Sequence, residues 1–596
     1  MLDVVRSRKF NTTGVTWTHG VATISLLGAT LLGCDNHSKA TRLVDGDELT
    51  VSMPLDSSAN EVYLVAQPPR VPREIIPRPP GVKITKKAPI VVKGEVVPIP
   101  AGEPETVTVM KVEKVPNVQP LNVERAAESI SAVGTTGPEL WQSWPTPQTV
   151  LFVTGNQHGY IEPCGCTGLE NQKGGLARRF TLMKQLTDLG WPLVPMDAGN
   201  QVRRTGRQSE IKFQTTAAGL AEMKYEAIGF GPDDLRLGVG ELIAVAAVDN
   251  PAEGRFQSAN VVLIDPSLMA QAKVVVSGER KIGIASALDP KMLEDGQNDE
   301  IQVAEVQEKM EAALELMKQG KSDFNVLMFY GDEEAGKAVV RQTPGFDLLV
   351  VAGGYGEPTY QAEKIDSSET RMIVTGNKGM YTGLVGLYPD GPPRYARVAL
   401  THDFADAPEM RILMRAYQDQ LQSLGLEGLG LKPVAHPSGG KFVGTKTCGE
   451  CHTTALGVWE NSKHALATQH LVRPGERSDI SRHFDPECIS CHVTGWNAQN
   501  YYPYETGYVA LEASAHLTGN GCENCHGPGA SHSDAEREDS GIAEAARDAL
   551  RVAMRLPLEN AKERCMECHD LDNSPDFHKE GAFDDYWAEV EHSGMD

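Results

Sequence analysis

The apolar positions change rhythm several times along the chain. From about residue 148 to 405, short apolar runs alternate with stretches of helical periodicity. The runs include Val150-Leu151-Phe152-Val153, Pro192-Leu193-Val194, Phe324-Asn325-Val326-Leu327-Met328-Phe329 and Phe346-Asp347-Leu348-Leu349-Val350-Val351, and residues 175–188 are amphipathic. Strands alternating with helices predict an α/β layered fold. Beyond them, Met410, Ile412, Leu413, Tyr417, Leu421 and Leu424 recur at helical spacing, which predicts a helix from Pro408 to about Leu431 packed on that fold.

The N-terminal part follows neither rhythm. Arg6, Arg8 and Lys9 precede an apolar run over residues 21–33, shorter than the ~20 residues that span a bilayer as a helix. A basic start before a short apolar run predicts a secretory signal over residues 1–33. The run ends in Leu31-Leu32-Gly33-Cys34, which resembles a bacterial lipobox with Cys34 as the lipidated first residue of the mature chain. An ordinary signal peptide with an incidental cysteine is the alternative, and both imply export. Residues 51–150 hold 16 of the 37 prolines, which interrupt valine-rich pieces such as Ile90-Val91-Val92. Proline removes ladder donors and favours extended chain, so residues 34–147 read as a largely disordered tether. A small β-module around 81–115 is the alternative. The expected location is periplasmic or on the outer surface, with membrane contact through the lipid anchor only.

Composition narrows the rest. The 596 residues exceed the ~250–300 at which single cores stop growing. A net charge of −24 argues against nucleic acid as a partner, because phosphates repel it. Of 11 cysteines, Cys34 stands alone, Cys164 and Cys166 sit together, and eight lie between 448 and 568. Twelve of the 16 histidines lie at or beyond His436.

These cysteines and histidines form four C-x-x-C-H motifs: Cys448/Cys451/His452, Cys488/Cys491/His492, Cys522/Cys525/His526 and Cys565/Cys568/His569. Two thiols at this spacing add to the two vinyl groups of one haem, and the following histidine lies under the iron as proximal ligand. Pairing the C-x-x-C units into zinc sites leaves the histidine that follows in all four cases without a role. The expectation is four covalent haem c groups in residues 444–596. The macrocycles supply much of the buried apolar surface there, so short helices and loops are expected. Eight further histidines remain at or beyond His436, and spacing alone does not choose distal ligands among them.

A resemblance narrows that choice. Trp459-x-x-Ser462-x-His464-Ala465 and Cys488-x-x-Cys491-His492-Val493-Thr494-Gly495 resemble the cytochrome c-554 family of tetrahaem proteins. So do Gly521-Cys522-Glu523-x-Cys525-His526-Gly527-Pro528-Gly529 with His532 after it, Ser574-Pro575-x-Phe577, and Tyr586-Trp587-x-x-x-x-His592. The resemblance implies closely packed bis-histidine haems for electron transfer, and gives distal roles to His464, His532 and His592. For the fourth iron it leaves His483, His516 or an open position.

The middle segment, residues 148–430 with its C-terminal helix, resembles the calcineurin-like metallophosphatases, most closely the 5′-nucleotidase branch. Thr154-Gly155-Asn156-Gln157-His158-Gly159 stands at the first metal loop, Gly174-Gly175-Leu176-Ala177-Arg178-Arg179 matches a Gly-Gly-x-Ala-Arg segment, and Met196-Asp197-Ala198-Gly199-Asn200 stands at the second metal loop. The departures are as informative. Two-metal hydrolysis needs a bridging carboxylate and a ring of Asp, Asn and His. Asn156 and Asn200 stand where carboxylates are expected, and Gly231-Pro232-Asp233-Asp234 replaces a Gly-Asn-His-Glu loop. The later loops, Phe329-Tyr330-Gly331 and Gly353-Gly354-Tyr355-Gly356, carry no histidine. The expectation is a degenerate phosphatase fold. Cys164 and Cys166 follow the first metal loop. With His158 they suit one soft metal ion or a thiol-redox site; a disulfide without function and two buried thiols are the alternatives.

The expected whole is a multidomain protein, an α/β layered metallophosphatase-like domain plus a mostly α-helical, loop-rich multihaem cytochrome. Its expected activity is electron transfer with redox protein partners. The alternative is an oxidoreductase acting on a small nitrogen or sulfur compound, at an open-coordinate haem or at Cys164/Cys166. Phosphatase activity is disfavoured, and no catalytic residue is assigned.

Overall fold

The computed structural model describes residues 17–18, 21–22, 139–163, 168–293, 300–354, 356–475 and 478–594. Of the expected signal segment, only β1 (Trp17–Thr18) and β2 (Val21–Ala22) are described, and they pair antiparallel. Cys34, the tether as far as residue 138, and Cys164 with Cys166 lie outside the described residues. No helix among the described residues is long and apolar enough to cross a membrane.

The described residues from 139 onward belong to one compact unit. It opens with α1 (Glu139–Gln142). Here the tether expected to reach residue 147 is corrected. Trp141 and Trp144 are buried, with ring centres 6.0 and 6.2 Å from that of Trp191. Burial of two indoles outweighs the extended bias of the neighbouring prolines.

The α/β body then runs β3 (Thr149–Thr154), α2 (Leu176–Asp188), β4 (Leu193–Asp197), α3 (Arg207–Glu222), β5 (Ala227–Ile228), α4 (Val239–Ala246), β6 (Val261–Leu263), β7 (Ala272–Ser277), β8 (Arg280–Leu288), β9 (Ile301–Val303) and α5 (Gln307–Gln319). It continues with β10 (Phe324–Tyr330), α6 (Glu333–Gln342), β11 (Leu348–Ala352), β12 (Glu363–Lys364), β13 (Arg371–Val374), β14 (Tyr381–Leu387), β15 (Arg394–Ala399) and α7 (Pro408–Gly428). One sheet has the order β15-β14-β3-β4-β5, the other β12-β13-β11-β10-β8-β7. Their central strands are parallel: β3, β4 and β5 in the first, and β8, β10, β11 and β13 in the second.

Strand alternation builds the layers. In β10, Val326 and Met328 join the main core with β3 and β4. Leu327 and Phe329, pointing the other way, pack with Met310 and Met317 of α5 and Val339 of α6. On the first sheet, Leu182 of α2, Phe213 of α3 and Met410 of α7 belong to the main core. The expected C-terminal helix is present as α7, kinked at Gly425.

The loops after β3, β4 and β5 gather at the carboxyl ends of parallel strands, where open α/β sheets place their sites. Close packing of these loops needs Gly199. At φ +103° a Cβ there would come 2.5 Å from the carbonyl carbon of Phe230.

The C-terminal segment is built from short helices: α8 (Thr445–Gly449), α9 (Thr453–Glu460), α10 (Ala467–Val472) and α11 (Pro486–His492). A two-residue pairing of β16 (Trp496–Asn497) with β17 (Tyr502–Pro503) follows. Then come α12 (Cys522–His526), α13 (Ala530–Glu536), α14 (Glu544–Ala553), α15 (Leu558–Cys565) and α16 (Ala582–Ala588). Its own core is a small cluster around Phe442, Ile489, Val493 and Tyr508.

Candidate haem-binding site

The second and third C-x-x-C-H motifs lie within α11 and α12, whereas in the first and fourth the helix ends at Gly449 and Cys565 and a turn carries the second cysteine and the histidine. The N–H of His452 donates to the Cys448 carbonyl at 3.0 Å, and that of His569 to the Cys565 carbonyl at 2.8 Å. In α11, Pro486 occupies the first turn and the Asp485 carboxylate caps the Glu487 N–H, so the turn carrying the second motif starts at a fixed point.

The eight cysteines of the four motifs are not equally covered. Cys448, Cys488, Cys491, Cys522, Cys525, Cys565 and Cys568 are half-buried, whereas Cys451 is exposed. Cys451 stands past the end of α8 and before the start of α9. Its backbone keeps the attachment geometry nonetheless, since the Cys451 N–H donates to the Cys448 carbonyl at 3.2 Å.

The histidines then meet in pairs. The His452 ring lies 6.2 Å from that of His532, His464 lies 6.1 Å from His569, and His526 lies 5.8 Å from His592. Two imidazole nitrogens, each about 2 Å from a shared metal ion, put the ring centres roughly 6 Å apart. Each pair joins a histidine of a C-x-x-C-H motif to one of His464, His532 and His592. Of the other two distal candidates, His483 lies with its ring against Phe484, and the backbone carbonyl of His516 lies over Gly444.

Hydrogen bonds fix several of these rings, and burial acts on others. Nδ1 of His492 lies 2.8 Å from the Ala467 carbonyl oxygen, that of His526 2.7 Å from the Met554 carbonyl oxygen, and that of His592 2.7 Å from the Val590 carbonyl oxygen. A proton on Nδ1 leaves the Nε2 lone pair for a metal. Burial holds His464, His526 and His532 below the ordinary imidazole pKa, and His569 at about 4.

The attachment turns are also packed on one another. The Cys448 and Cys522 thiols are within hydrogen-bonding reach, as are those of Cys491 and Cys568. First and third motifs are therefore neighbours, and so are second and fourth. In addition α14 has no fully buried side chain, and its apolar Ala546 and Ala549 are exposed. Donor set, ring spacing and this uncovered face fit haem.

At the α/β loops the carboxylates are tied to protein donors. Asp197 accepts from Thr154 Oγ1 at 2.6 Å, the Gly199 N–H at 2.9 Å and Gln201 Nε2 at 2.7 Å. Asp234 accepts the backbone N–H groups of Asn200, Gly231 and Val202, and burial raises its pKa to about 7. Asn200 donates Nδ2 to Asp233, and its Oδ1 accepts the Asp233 N–H, both at 3.0 Å. Among the described residues no group of three His, Cys, Asp or Glu side chains is placed to hold a metal ion. A dinuclear metal centre does not fit these donors. The buried Asn156 amide has neither polar atom hydrogen-bonded, and Asn156, His158 and Asn200 all take positive φ. The soft-metal candidate of His158 with Cys164 and Cys166 has only His158 within the described residues.

Residues 447–527 match the family model of cytochrome c554 and c-prime. Cytochrome c-554 of Nitrosomonas europaea is 29% identical over 150 residues, which is 22% of this chain and 60% of that relative. The C-terminal segment is a c-type cytochrome. The match thus spans 60% of the length of this curated relative. Solved structures similar to the α/β body include a 5′-nucleotidase precursor from Thermus thermophilus, with 18% identity, a TM-score of 0.39, and coverage of 54% of this chain and 66% of that one. Another is the calcineurin-like phosphoesterase YfkN from Bacillus subtilis, with 13% identity, a TM-score of 0.36, and coverage of 46% of this chain and 98% of that one.

The C-terminal segment lies against the α/β body through opposite charges. Glu487, in the turn of the second motif, accepts from Lys212 at 2.6 Å and Arg204 at 3.0 Å. The Arg204 guanidinium covers the Tyr501 ring at 3.8 Å. Asp572, just past the fourth motif, pairs with Lys378 and, at 3.3 Å, with Arg203. Arg482 pairs with Glu162, and Asn171 donates to Asp576 at 3.0 Å. Burial, then the charges of Arg203 and Lys378, hold His158 at about 4. No local motif announces this interface, because its charges stand at ordinary surface positions in both parts of the sequence.

Proposed function

We propose that the chain is an exported electron-transfer protein carrying four haem c groups on Cys448/Cys451, Cys488/Cys491, Cys522/Cys525 and Cys565/Cys568, exchanging electrons with redox protein partners. The observation that carries the proposal is the set of three histidine pairs at 5.8–6.2 Å. His452, His492, His526 and His569 are the proximal ligands. His532, His464 and His592 oppose His452, His569 and His526, and His483 or His516 is available to the remaining iron. When bound, haem c supplies a one-electron iron couple. The chain's residues hold the imidazoles neutral, fix their tautomers, and keep neighbouring attachment turns in contact. Cys34 is the site of lipid attachment, which keeps the protein on a periplasmic or outer-surface membrane face.

Pyridine haemochrome analysis of the purified chain tests this reading. Four haems per chain are expected, and fewer than three would sink it.

A second reading has one specific observation in its favour. The loop with Cys164 and Cys166 lies between Glu162 and Asn171, and both of these bond to cytochrome residues, Arg482 and Asp576. In this reading a small sulfur or nitrogen compound is oxidised at the Cys164/Cys166 site, which takes up its electrons as a disulfide or through a redox-active soft metal ion such as copper and passes them to the haems. Loss of substrate-dependent haem reduction in Cys164→Ser, with haem content unchanged, is the result that distinguishes it from simple electron carriage.

A further inference from the structure

The motif Gly521-Cys522-Glu523-x-Cys525-His526-Gly527-Pro528-Gly529 contains one residue that haem attachment does not explain. Glu523 points into the protein and is only 2% exposed. Its carboxylate accepts the Val443 N–H at 3.0 and 3.1 Å, the Gly444 N–H at 2.8 Å and the Gly529 N–H at 2.7 Å. Val443 and Gly444 lead directly into α8, which carries Cys448. Gly529 closes the turn after His526. One side chain thus ties the third attachment turn to the approach of the first and to its own exit. The neighbouring contacts run the same way. The Cys522 N–H donates to Thr445 Oγ1 at 3.3 Å, and the Cys448 and Cys522 sulfurs are neighbours.

All of these partners of Glu523 are backbone amides. Three N–H donors stabilise the ionised form of a buried carboxylate, and no ion pair to a basic side chain is among its bonds to the described residues. Burial raises its pKa, and the amides of Gly529, Gly444 and Val443 oppose that rise. A fixed negative charge close to a redox centre stabilises the oxidised, more positive form, and protein charge, hydrogen bonding and burial are the levers that set such potentials.

Resting on the four-haem reading above, we infer that Glu523 is a positioning residue that locks the first and third haem-attachment turns together and holds the reduction potentials of that pair low.

Spectroelectrochemical titration of the full-length holoprotein and of Glu523→Gln tests the inference, with haem content counted in both. The amide oxygen of glutamine still accepts from the backbone while the charge is gone. The expected result is four haems, an unchanged low-spin spectrum, and an upward shift confined to part of the titration. Four haems with a titration superimposable on wild type would overturn the inference and leave the four-haem reading intact. A wild-type chain short of haem would instead overturn the reading itself. Should Glu523→Gln fail to take up haem, Glu523→Asp decides. Haem uptake with wild-type potentials supports the role of the charge, and failure of both variants overturns it in favour of packing alone.

Discussion

His464 and His569 face each other with ring centres 6.1 Å apart, although two further C-x-x-C-H motifs separate them in the chain. A histidine that precedes the second motif is therefore partnered with the fourth. The pairing makes a sharp spectroscopic prediction. His464→Ala is expected to convert about one quarter of the low-spin haem signal to high-spin, since one axial ligand of one iron is lost. The exposed neighbour His470, changed to alanine, is expected to leave the spectrum as in wild type. EPR of the oxidised proteins reads both, and an unaltered low-spin signal in His464→Ala would refute the pairing.

What could be read in advance divides along a physical line. Haem attachment is a covalent reaction with local geometry, so four copies of Cys-x-x-Cys-His announce themselves. The exposure of Cys451 is not local in that sense, because it depends on which helices pack over a turn. The layered α/β body is legible, since strand and helix periodicities are local. The opposition of His464 to His569 depends on how short helices cross, and no spacing encodes that. Trp141 and Trp144 were hidden by the prolines around them, since composition averages over the few residues that bury an indole. Glu523 stands within the third motif, yet two of its amide partners, Val443 and Gly444, lie outside that local sequence.

The contact of Glu487 with Lys212 and Arg204 predicts coupled unfolding of the cytochrome and the α/β body. Lys212 is largely buried and Glu487 partly so, so removal of one partner leaves a charge poorly compensated. Glu487→Gln is expected to cost roughly 2–3 kcal/mol, somewhat less than for a fully buried pair. Combined with Lys212→Met, the double-mutant cycle is expected to give a coupling of about 1–3 kcal/mol. With Asp572→Asn added, haem absorbance and tryptophan fluorescence are expected to report separate urea transitions. Coincident transitions in that triple variant would show that the charges do not bind the two parts together.

His158 predicts a pH dependence whose sign follows from its depressed pKa. In the folded chain it titrates at about 4, against an ordinary 6.5. The folded state therefore binds fewer protons than the unfolded state between these values. The contribution of His158 to stability is fully present above pH 6.5 and is lost as the pH falls through 4. Its size is at most about 2 kcal/mol, given partial solvent screening. His158→Asn, which tolerates the same positive φ, is expected to flatten the stability profile between pH 6.5 and 4. Urea midpoints across that range check it, and an equally steep profile in the variant would assign the slope to other groups.

Asn200 carries the last prediction, because it explains why restoring a single family carboxylate does not restore a metal centre. Its amide donates to Asp233 and accepts the Asp233 N–H, both at 3.0 Å. Asn200→Asp keeps the acceptor but turns the donor into a second negative charge against Asp233. The expected cost at about pH 7 is about 1–3 kcal/mol, the penalty for a buried polar group set against a like partner. Protonation of one carboxyl relieves the repulsion, so the deficit is expected to shrink as the pH falls toward about 4. Added manganese is expected to leave the melting temperature of the variant unchanged, since Asp197 and Asp234 remain held by their own hydrogen bonds. A melting temperature that rises with manganese would show instead that these carboxylates are free to turn toward a metal ion.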